Sequence, residues 1–293
     1  MPTDDATGEY VTPDGEAFLQ AVRDILLTDS GIDIGYYKRR FLLRRIAVRE
    51  RALGCGAHNE YLVKLRTTPK EISRCLEELT ITVTEFFRDT EVFAYLGETL
   101  IPELMKKRLP SPAKPLRIWS AACASGEEAY SLAMLMEEAV ERAPYASDYL
   151  IFATDVNFRA LEIAIRGCYP KDKLANVPAE LLSAYFSPYD GNGETLCVNP
   201  SLKGKVKFTT QDILLPFAEK NFDLILCRNV LMYFSSKLQN SILEKLMSCL
   251  NSDGYLALGQ VERISGISQE SFRAVSPNHH IYQKISTAEG QIV

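Results

Sequence analysis

The stretch "WSAACASGEEAYSLAM", residues 119–134, decides how the rest of the chain is read. It runs as a strand ending in small residues, then a turn, then a helix. A strand that feeds a helix through a tight small-residue turn sets a ligand at the helix N-terminus. This turn has one glycine, Gly126, where phosphate-binding loops carry two or three, and Glu127 and Glu128 follow it directly. Two carboxylates on a first helical turn repel a phosphate. Neither the G-x-G-x-x-G fingerprint nor a P-loop occurs here, so the nucleotide-phosphate readings fall.

A ligand without phosphate, bearing a cationic centre and hydroxyls for carboxylates to bind, suits the same turn. S-adenosylmethionine has a sulfonium, an ammonium and ribose hydroxyls. Taken alone, the two acids could serve only the helix dipole. The expectation divides them: Glu128 binds, and Glu127 complements the dipole.

Downstream, short apolar runs alternate with helices. "LRIWSA", "YLIFATDV", "VKFTTQDI", "FDLILCRNV" and "GYLALGQV" are the runs, with helices from Gly126, from about Asn157 to Arg166, and from about Ser236 to Leu250. Strand then helix, repeated, predicts a parallel sheet covered on both faces. "FRAVS" and "HIYQKI" are separated only by "PNHH", too close for a helical crossover, so one runs antiparallel to its neighbour. Between Gly167 and Val206, "SPYDGNGETLCVNP" predicts a small β-hairpin excursion.

Upstream, residues 1–12 read as a flexible lead and 13–79 as a helical module. "EAFLQAVRDILLTDSG" stops at Gly31, "YKRRFLLRRIAVRERALG" at Gly54, and "AHNEYLVKLRTTP" before Pro69. A fourth helix follows, with Thr68 as N-cap and Pro69 at its first position. Residues 80–115 form a connecting segment: "TITVTEFFRD", a long helix from Thr90 to about Arg108, and the proline-rich linker "LPSPAKP". Residues 116–293 make the main domain.

The 293 residues, 46% hydrophobic and 24% charged, are ordinary for a globular protein. No apolar run approaches the ~20 residues that span a bilayer. The polar, acidic start is unlike a secretory signal, so the expected compartment is the cytoplasm and no membrane insertion is expected. A net charge of −5 argues against a general nucleic-acid binder. The seven cysteines (55, 75, 123, 168, 197, 227, 249) form no C-x-x-C pair and read as reduced, mostly buried thiols. His58, His279 and His280 lack the spacing of metal ligands, so no metal site is expected.

Asp155 ends the second strand, where doubly wound folds place an acid that binds ribose hydroxyls; capping of the next helix is the competing role. Asp212 is placed to receive an adenine amino group while Ile213 packs the ring. Asn229 and Tyr233 lie just past the fourth strand, where donor and substrate would meet, unless Arg228 and Asn229 are loop hydrogen-bonders only.

"TVTEFFRD", "WSAACASGEEAYSLAM", "ATDVNFRALEIAIRGCY", "FDLILCRNVLMYF" and "LNSDGYLALG", in this order behind a basic helical module, resemble the CheR family of chemotaxis receptor methyltransferases. The resemblance runs from about Ile25 to Ile285. It implies an α/β, class I S-adenosylmethionine-dependent methyltransferase fold: a mostly parallel seven-stranded doubly wound sheet with an antiparallel end strand. A small N-terminal all-helical domain and a small antiparallel β-subdomain insertion, about 186–207, accompany it. The implied activity is protein-glutamate O-methyl transfer from S-adenosylmethionine to chemotaxis receptors, leaving S-adenosylhomocysteine. Implied cofactor contacts are Thr82, Thr84, Arg88, Glu128, Asp155, Asp212, Ile213, Asn229 and Val230, with Arg88 and Tyr233 nearest the methyl. Departures from the family pattern are Thr82 for Asn, Ser125 for Thr, Ala129 for Pro, Asp212 for a common Asn, and "GQVER" for Gly-x-Ser-Glu. The alternatives are a donor-binding adaptor without transferase activity and a related methyltransferase of another substrate.

A glutamate carboxylate is ionised at pH 7 and attacks a sulfonium methyl without a general base, which agrees with a catalytic region lacking histidine. Arg88 orients the substrate carboxylate or binds the donor's own; the sequence leaves both open. On the basic helix, Lys38, Arg45 and Arg49 fall between apolar rows, whereas Arg40, Arg44 and Arg51 lie opposite. The second trio is expected to dock the acidic cytoplasmic domain of the receptor; a solvated face or nucleic acid are its other readings. The β-subdomain is a candidate edge for a receptor C-terminal peptide. A monomer is expected.

Overall fold

Thr12 opens helix α1 (Pro13–Ser30): its hydroxyl accepts the Gly15 N–H at 3.3 Å, and Pro13 has the fixed φ that a first helical position wants. Gly31, at φ 73°, closes it in the left-handed conformation. Helices α2 (Arg39–Ala52), α3 (His58–Thr67) and α4 (Glu71–Leu79) follow. Helix α4 begins two residues beyond the expected Pro69, because Lys70 sits at φ 65° and cannot join a right-handed helix. Thr68 serves it through its carbonyl, which accepts the Glu71 N–H at 3.1 Å.

This computed structural model of the protein describes residues 12–79, 84–108, 115–143, 148–189, 191, 193–264 and 270–285. The chain divides into two units, Met1–Ile81 with Leu231–Ser241, and Thr82–Val230 with Ile242–Val293.

In the first unit, Phe18, Val22, Ile25, Leu26, Ile46 and Leu65 are buried together. Each such side chain contributes about 1.5–3 kcal/mol. At the centre lies a charge: Glu71 is fully buried and takes both Nε and Nη2 of Arg49, at 3.0 and 2.7 Å, and the Tyr61 hydroxyl at 3.3 Å. Burial and the neighbouring Cys75 and Glu71 push the Tyr61 hydroxyl well above its ordinary range, so it stays a donor.

In the second unit the connecting segment is helical from Thr90 to Arg108. It consists of α5 (Thr90–Tyr95), a π turn over Leu96–Leu100, and α6 (Ile101–Arg108). Then come β1 (Leu116–Ala121), α7 (Glu127–Arg142), β2 (Tyr149–Asp155), α8 (Phe158–Arg166), β3 (Cys168–Pro170), α9 (Ala179–Tyr185), β4 (Phe186–Pro188), β5 (Thr195–Val198), α10 (Pro200–Lys203), β6 (Val206–Thr210) and β7 (Phe222–Cys227). The last elements are α11 (Ser236–Cys249), β8 (Leu250–Leu258), β9 (Phe272–Ser276) and β10 (Ile281–Lys284). The main sheet has the order β6-β2-β1-β7-β8-β10-β9. Strands β6, β2, β1, β7 and β8 pair in parallel; β10 runs antiparallel to both β8 and β9. The five parallel strands point their carboxyl ends to one edge, and the order reverses between β1 and β7, where open α/β sheets bind ligands.

The excursion is larger than a hairpin. It is a three-stranded antiparallel sheet, β3-β5-β4, whose first strand starts at Cys168, upstream of the expected insertion. Cys168 stands opposite Cys197 in the β3–β5 register, Cα atoms 4.0 Å apart, and the two form a disulfide. This corrects the expectation of reduced thiols throughout: a sequence separation of 29 residues hides a cross-strand pair. Of the five free cysteines, Cys55 is half-buried and the others are buried. Among the described residues no helix is long and apolar enough to cross a membrane.

The Arg49–Glu71 pair makes a stability prediction. Glu71→Ala leaves a guanidinium without its carboxylate and lowers stability by about 3–5 kcal/mol. The paired replacement Arg49→Met with Glu71→Leu costs less than that single change, measured as urea midpoints.

Candidate active site

Four strand ends lie level at the carboxyl edge, since Ala121 pairs with Thr154 and Cys227, and Cys227 with Leu258. The residues just past these ends therefore converge: the Ala122–Gly126 turn, Asp155, Asn229 and Gly259. Asp155 pairs with Thr210, which brings Asp212 to the same edge. Positive φ angles concentrate here, at Phe87, Asp89, Ala122, Ala124, Gly126 and Asn229. Such backbone is held only where surroundings over-determine it, and it clusters at ligand sites.

The turn after β1 is fixed from several sides. A Cβ on Gly126 would come within 2.7 Å of the Ala164 Cβ, so the lone glycine answers the close approach of α8. Asp155, 8% exposed, accepts the Ala124 N–H on one oxygen and the Asn157 N–H on the other, both at 2.8 Å. Burial raises its carboxyl above the ordinary range, opposed by these N–H bonds. The Tyr169 hydroxyl of β3 donates to the Ser125 carbonyl at 2.7 Å.

The two acids at the helix mouth differ. Glu127 is buried and accepts the Ser125 hydroxyl at 2.7 and 2.9 Å. Its burial outweighs this bond and lifts its carboxyl above the usual range. Glu128 is half-buried, accepts the Ser120 hydroxyl at 2.7 Å, and takes Nη1 of Arg228 at 3.2 Å.

Arg228, with a side chain 1% exposed, ties the edge together. Its Nη2 donates to Asp89 at 2.6 Å and to the Arg88 carbonyl at 3.1 Å, and its guanidinium lies over the Phe93 ring. Phe86 and Phe87 are both buried, the Phe87 N–H donating to Ser131 at 3.0 Å. Arg88 comes next in the chain, half-buried. Nε of Arg228 is buried and has no hydrogen-bond partner among the described residues.

Thr82 lies outside the described residues. Thr84, Ile213 and Val230 are half-buried, and Asp212 accepts the Leu214 N–H at 2.8 Å. Tyr233 belongs to the first unit, where its ring packs on Phe41 at 4.9 Å and its carbonyl accepts the Lys38 N–H at 2.9 Å. In that unit Lys38, Arg45 and Arg49 bond to the Met232 carbonyl, Glu78 and Glu71. Arg40 and Arg51 are exposed, and so is Arg44.

Two residues carry more of the site than their sequence context indicates. Arg228 is no mere loop hydrogen-bonder, and an arginine directly after the all-apolar "LILC" run is the signal of a buried cation needing acids. Glu262, 4% exposed, accepts the N–H groups of Asn229 and Gly259. Only its place in "GQVER" marks it in the sequence.

The arrangement suits S-adenosylmethionine on its own chemistry. An orphaned guanidinium N–H can meet a donor carboxylate, and Glu128 on the first turn of α7 and Asp155 at the end of β2 can meet an ammonium and ribose hydroxyls. No group of three or more His, Cys, Asp or Glu residues arranged to hold a metal occurs among the described residues.

Glu127 yields a pH prediction. A carboxyl raised by folding binds more protons in the folded than in the unfolded state. Its stabilising share is therefore full below its unfolded value of about 4.3 and is lost as pH rises through the folded one. Glu127→Gln removes this loss, so its urea midpoint gains on that of the wild type as pH is raised from about 4 to about 7 without cofactor.

The family model described as "CheR methyltransferase, SAM binding domain" matches residues 82–281, and "CheR methyltransferase, all-alpha domain" matches residues 17–80. A chemotaxis protein methyltransferase of Borreliella burgdorferi is 32% identical over 83% of this chain and 86% of its own length. One from Listeria monocytogenes is 31% identical over 89% and 94%, and one from Pseudomonas putida 31% identical over 95% and 98%. With the parallel sheet, its order reversal and the edge cluster around Arg228, these matches place the chain in the CheR family of S-adenosylmethionine-dependent methyltransferases.

Proposed function

We propose that the chain methylates glutamate side chains of chemotaxis receptors, forming methyl esters. The observation that carries this reading is the Arg228 cluster. One buried cation holds Asp89, Glu128 and the Arg88 carbonyl, so the segment bearing Arg88 is fixed at the sheet edge beside the turn after β1.

S-adenosylmethionine, when bound, would supply a sulfonium methyl whose carbon a glutamate carboxylate oxygen attacks: the O–C ester bond forms as the C–S bond breaks, the sulfur keeping the bonding electrons and S-adenosylhomocysteine leaving. The chain's own residues bind and orient. Glu128 receives the donor's ammonium, and the orphaned Nε of Arg228 receives its carboxylate. Asp155, whose oxygens each retain a further lone pair beyond the N–H bonds, receives ribose hydroxyls. Asp212 and Ile213 take the adenine, with Thr82, Thr84, Asn229 and Val230 completing the cofactor contacts. Arg88 directs the substrate carboxylate through its planar fork. No proton needs to move, so alignment and exclusion of water supply the rate.

Arg40, Arg44 and Arg51 present charge to an acidic receptor surface. The outer strands of the three-stranded sheet offer an edge to which a receptor C-terminal peptide adds a strand.

The direct experiment incubates the protein with methyl-labelled S-adenosylmethionine and receptor cytoplasmic fragments. Base-labile label on glutamate is expected; tight cofactor binding with no label on any acidic receptor would overturn the reading in favour of an adaptor. Arg88→Ala is expected to lower transfer at least tenfold more than it lowers S-adenosylhomocysteine affinity. Equal losses would make it a donor ligand only. Replacing Arg40, Arg44 and Arg51 by Ala weakens receptor binding and flattens its salt dependence, with cofactor affinity unchanged in titration calorimetry.

A further inference from the structure

Glu262 has a role that neither the motif nor the reaction assigns. It lies in the turn after β8, buried at 4% exposure. One carboxylate oxygen, Oε2, accepts the Asn229 N–H at 2.9 Å and the Gly259 N–H at 2.8 Å. Asn229 sits at φ 61°, a left-handed conformation that costs most residues energy and that asparagine tolerates better.

The turn itself is held so that this carboxylate cannot drift. The Glu262 N–H donates to the Gly259 carbonyl at 2.9 Å. The Glu262 carbonyl accepts Nη1 of Arg263 at 2.9 Å and lies 2.9 Å from Nδ1 of the buried His280. Gly259 has no room for a side chain: a Cβ there would stand 2.7 Å from the Asn229 nitrogen and 2.8 Å from Oε2 of Glu262. The end of β7 and the turn after β8 thus meet at a single carboxylate oxygen.

We infer that Glu262 is a positioning residue for cofactor binding, acting through Asn229. By accepting two backbone N–H groups it locks the left-handed Asn229, so that the Asn229 side chain presents to the cofactor. An ionised acceptor bonds N–H groups more strongly than a neutral one. A buried N–H stripped of its acceptor seeks another, and the strained residue relaxes. This inference rests on the reading that Asn229 contacts S-adenosylhomocysteine and its methylated parent.

The test is a double-mutant cycle on the full chain, read as S-adenosylhomocysteine dissociation constants by calorimetry, with near-ultraviolet circular dichroism confirming the fold. Glu262→Ala is expected to weaken binding about 10- to 100-fold, and Glu262→Gln, which keeps a carbonyl oxygen, less than about fivefold. Asn229→Gly removes the side chain while tolerating positive φ, and is expected to weaken binding at least tenfold. In the Asn229→Gly background, Glu262→Ala adds less than threefold, because the side chain it positions is gone. Additive losses would overturn the inference and leave Asn229 as a contact. Unchanged affinity in Asn229→Gly alone would sink the underlying contact itself, and the inference with it. If Glu262→Ala does not fold, the same cycle with Glu262→Gln decides: equal loss in both backgrounds overturns the inference.

Discussion

A guanidinium with 1% of its side chain exposed needs anions, and Arg228 draws three oxygens from two segments of the chain. Asp89 comes from the segment before α5, Glu128 from the first turn of α7, and the Arg88 carbonyl from the backbone just after two buried phenylalanines. Removing water from a charge costs several kcal/mol unless hydrogen bonds replace it. That cost makes the geometry stringent: every donor on Arg228 with an acceptor fixes a different chain segment. The strained positions at Phe87 and Asp89 are tolerable because the segment cannot relax without unpairing the cation.

Electrostatics at the sheet edge are arranged around that cation. Glu127 and Glu128 are neighbours in sequence, yet one lies in a pocket where burial resists ionisation and the other faces the guanidinium. Sharing a helix N-terminus does not make two carboxylates alike, because the dipole's contribution of about 0.3–1 kcal/mol is smaller than the cost of burial. Asp155, like Glu127, is raised by burial, its charged form favoured in opposition by the backbone N–H groups of Asn157 and Ala124.

Much of the architecture was legible in the residues. "LRIWSA", "YLIFATDV" and "FDLILC" are mostly apolar runs, as strands buried on both faces are, with Arg117, Asp155 and Asp223 near their ends. The short "PNHH" between the last two strands left no length for a crossover, and β10 runs antiparallel to both its neighbours. Strand β3 escaped because a segment as short as Cys168–Pro170 carries no period of its own. It is a strand only because β5 pairs with it from 29 residues away, measured from Cys168 to Cys197. The disulfide was hidden for the same reason. The late start of α4 turned on one backbone angle at Lys70, a residue type that does not announce positive φ. At the site, Asp155, Asp212 and Asn229 could be placed at one edge from strand ends alone. The clamp at Glu262 could not, because it depends on how closely two turns approach.

The segment Leu231–Ser241 comes directly after Asn229 and Val230 but is folded with the helical unit, where Phe234 stacks on Tyr37 and Tyr233 packs on Phe41. The two family matches, 17–80 and 82–281, therefore do not mark a seam at which the protein can be cut. A chain begun at residue 82 would retain the whole parallel sheet while stripping the residues just past β7 of the aromatic rings they pack on. Sequence modules and folding modules differ here by the segment Leu231–Ser241, and any transplant of the parallel-sheet unit onto another domain must supply a new surface for it.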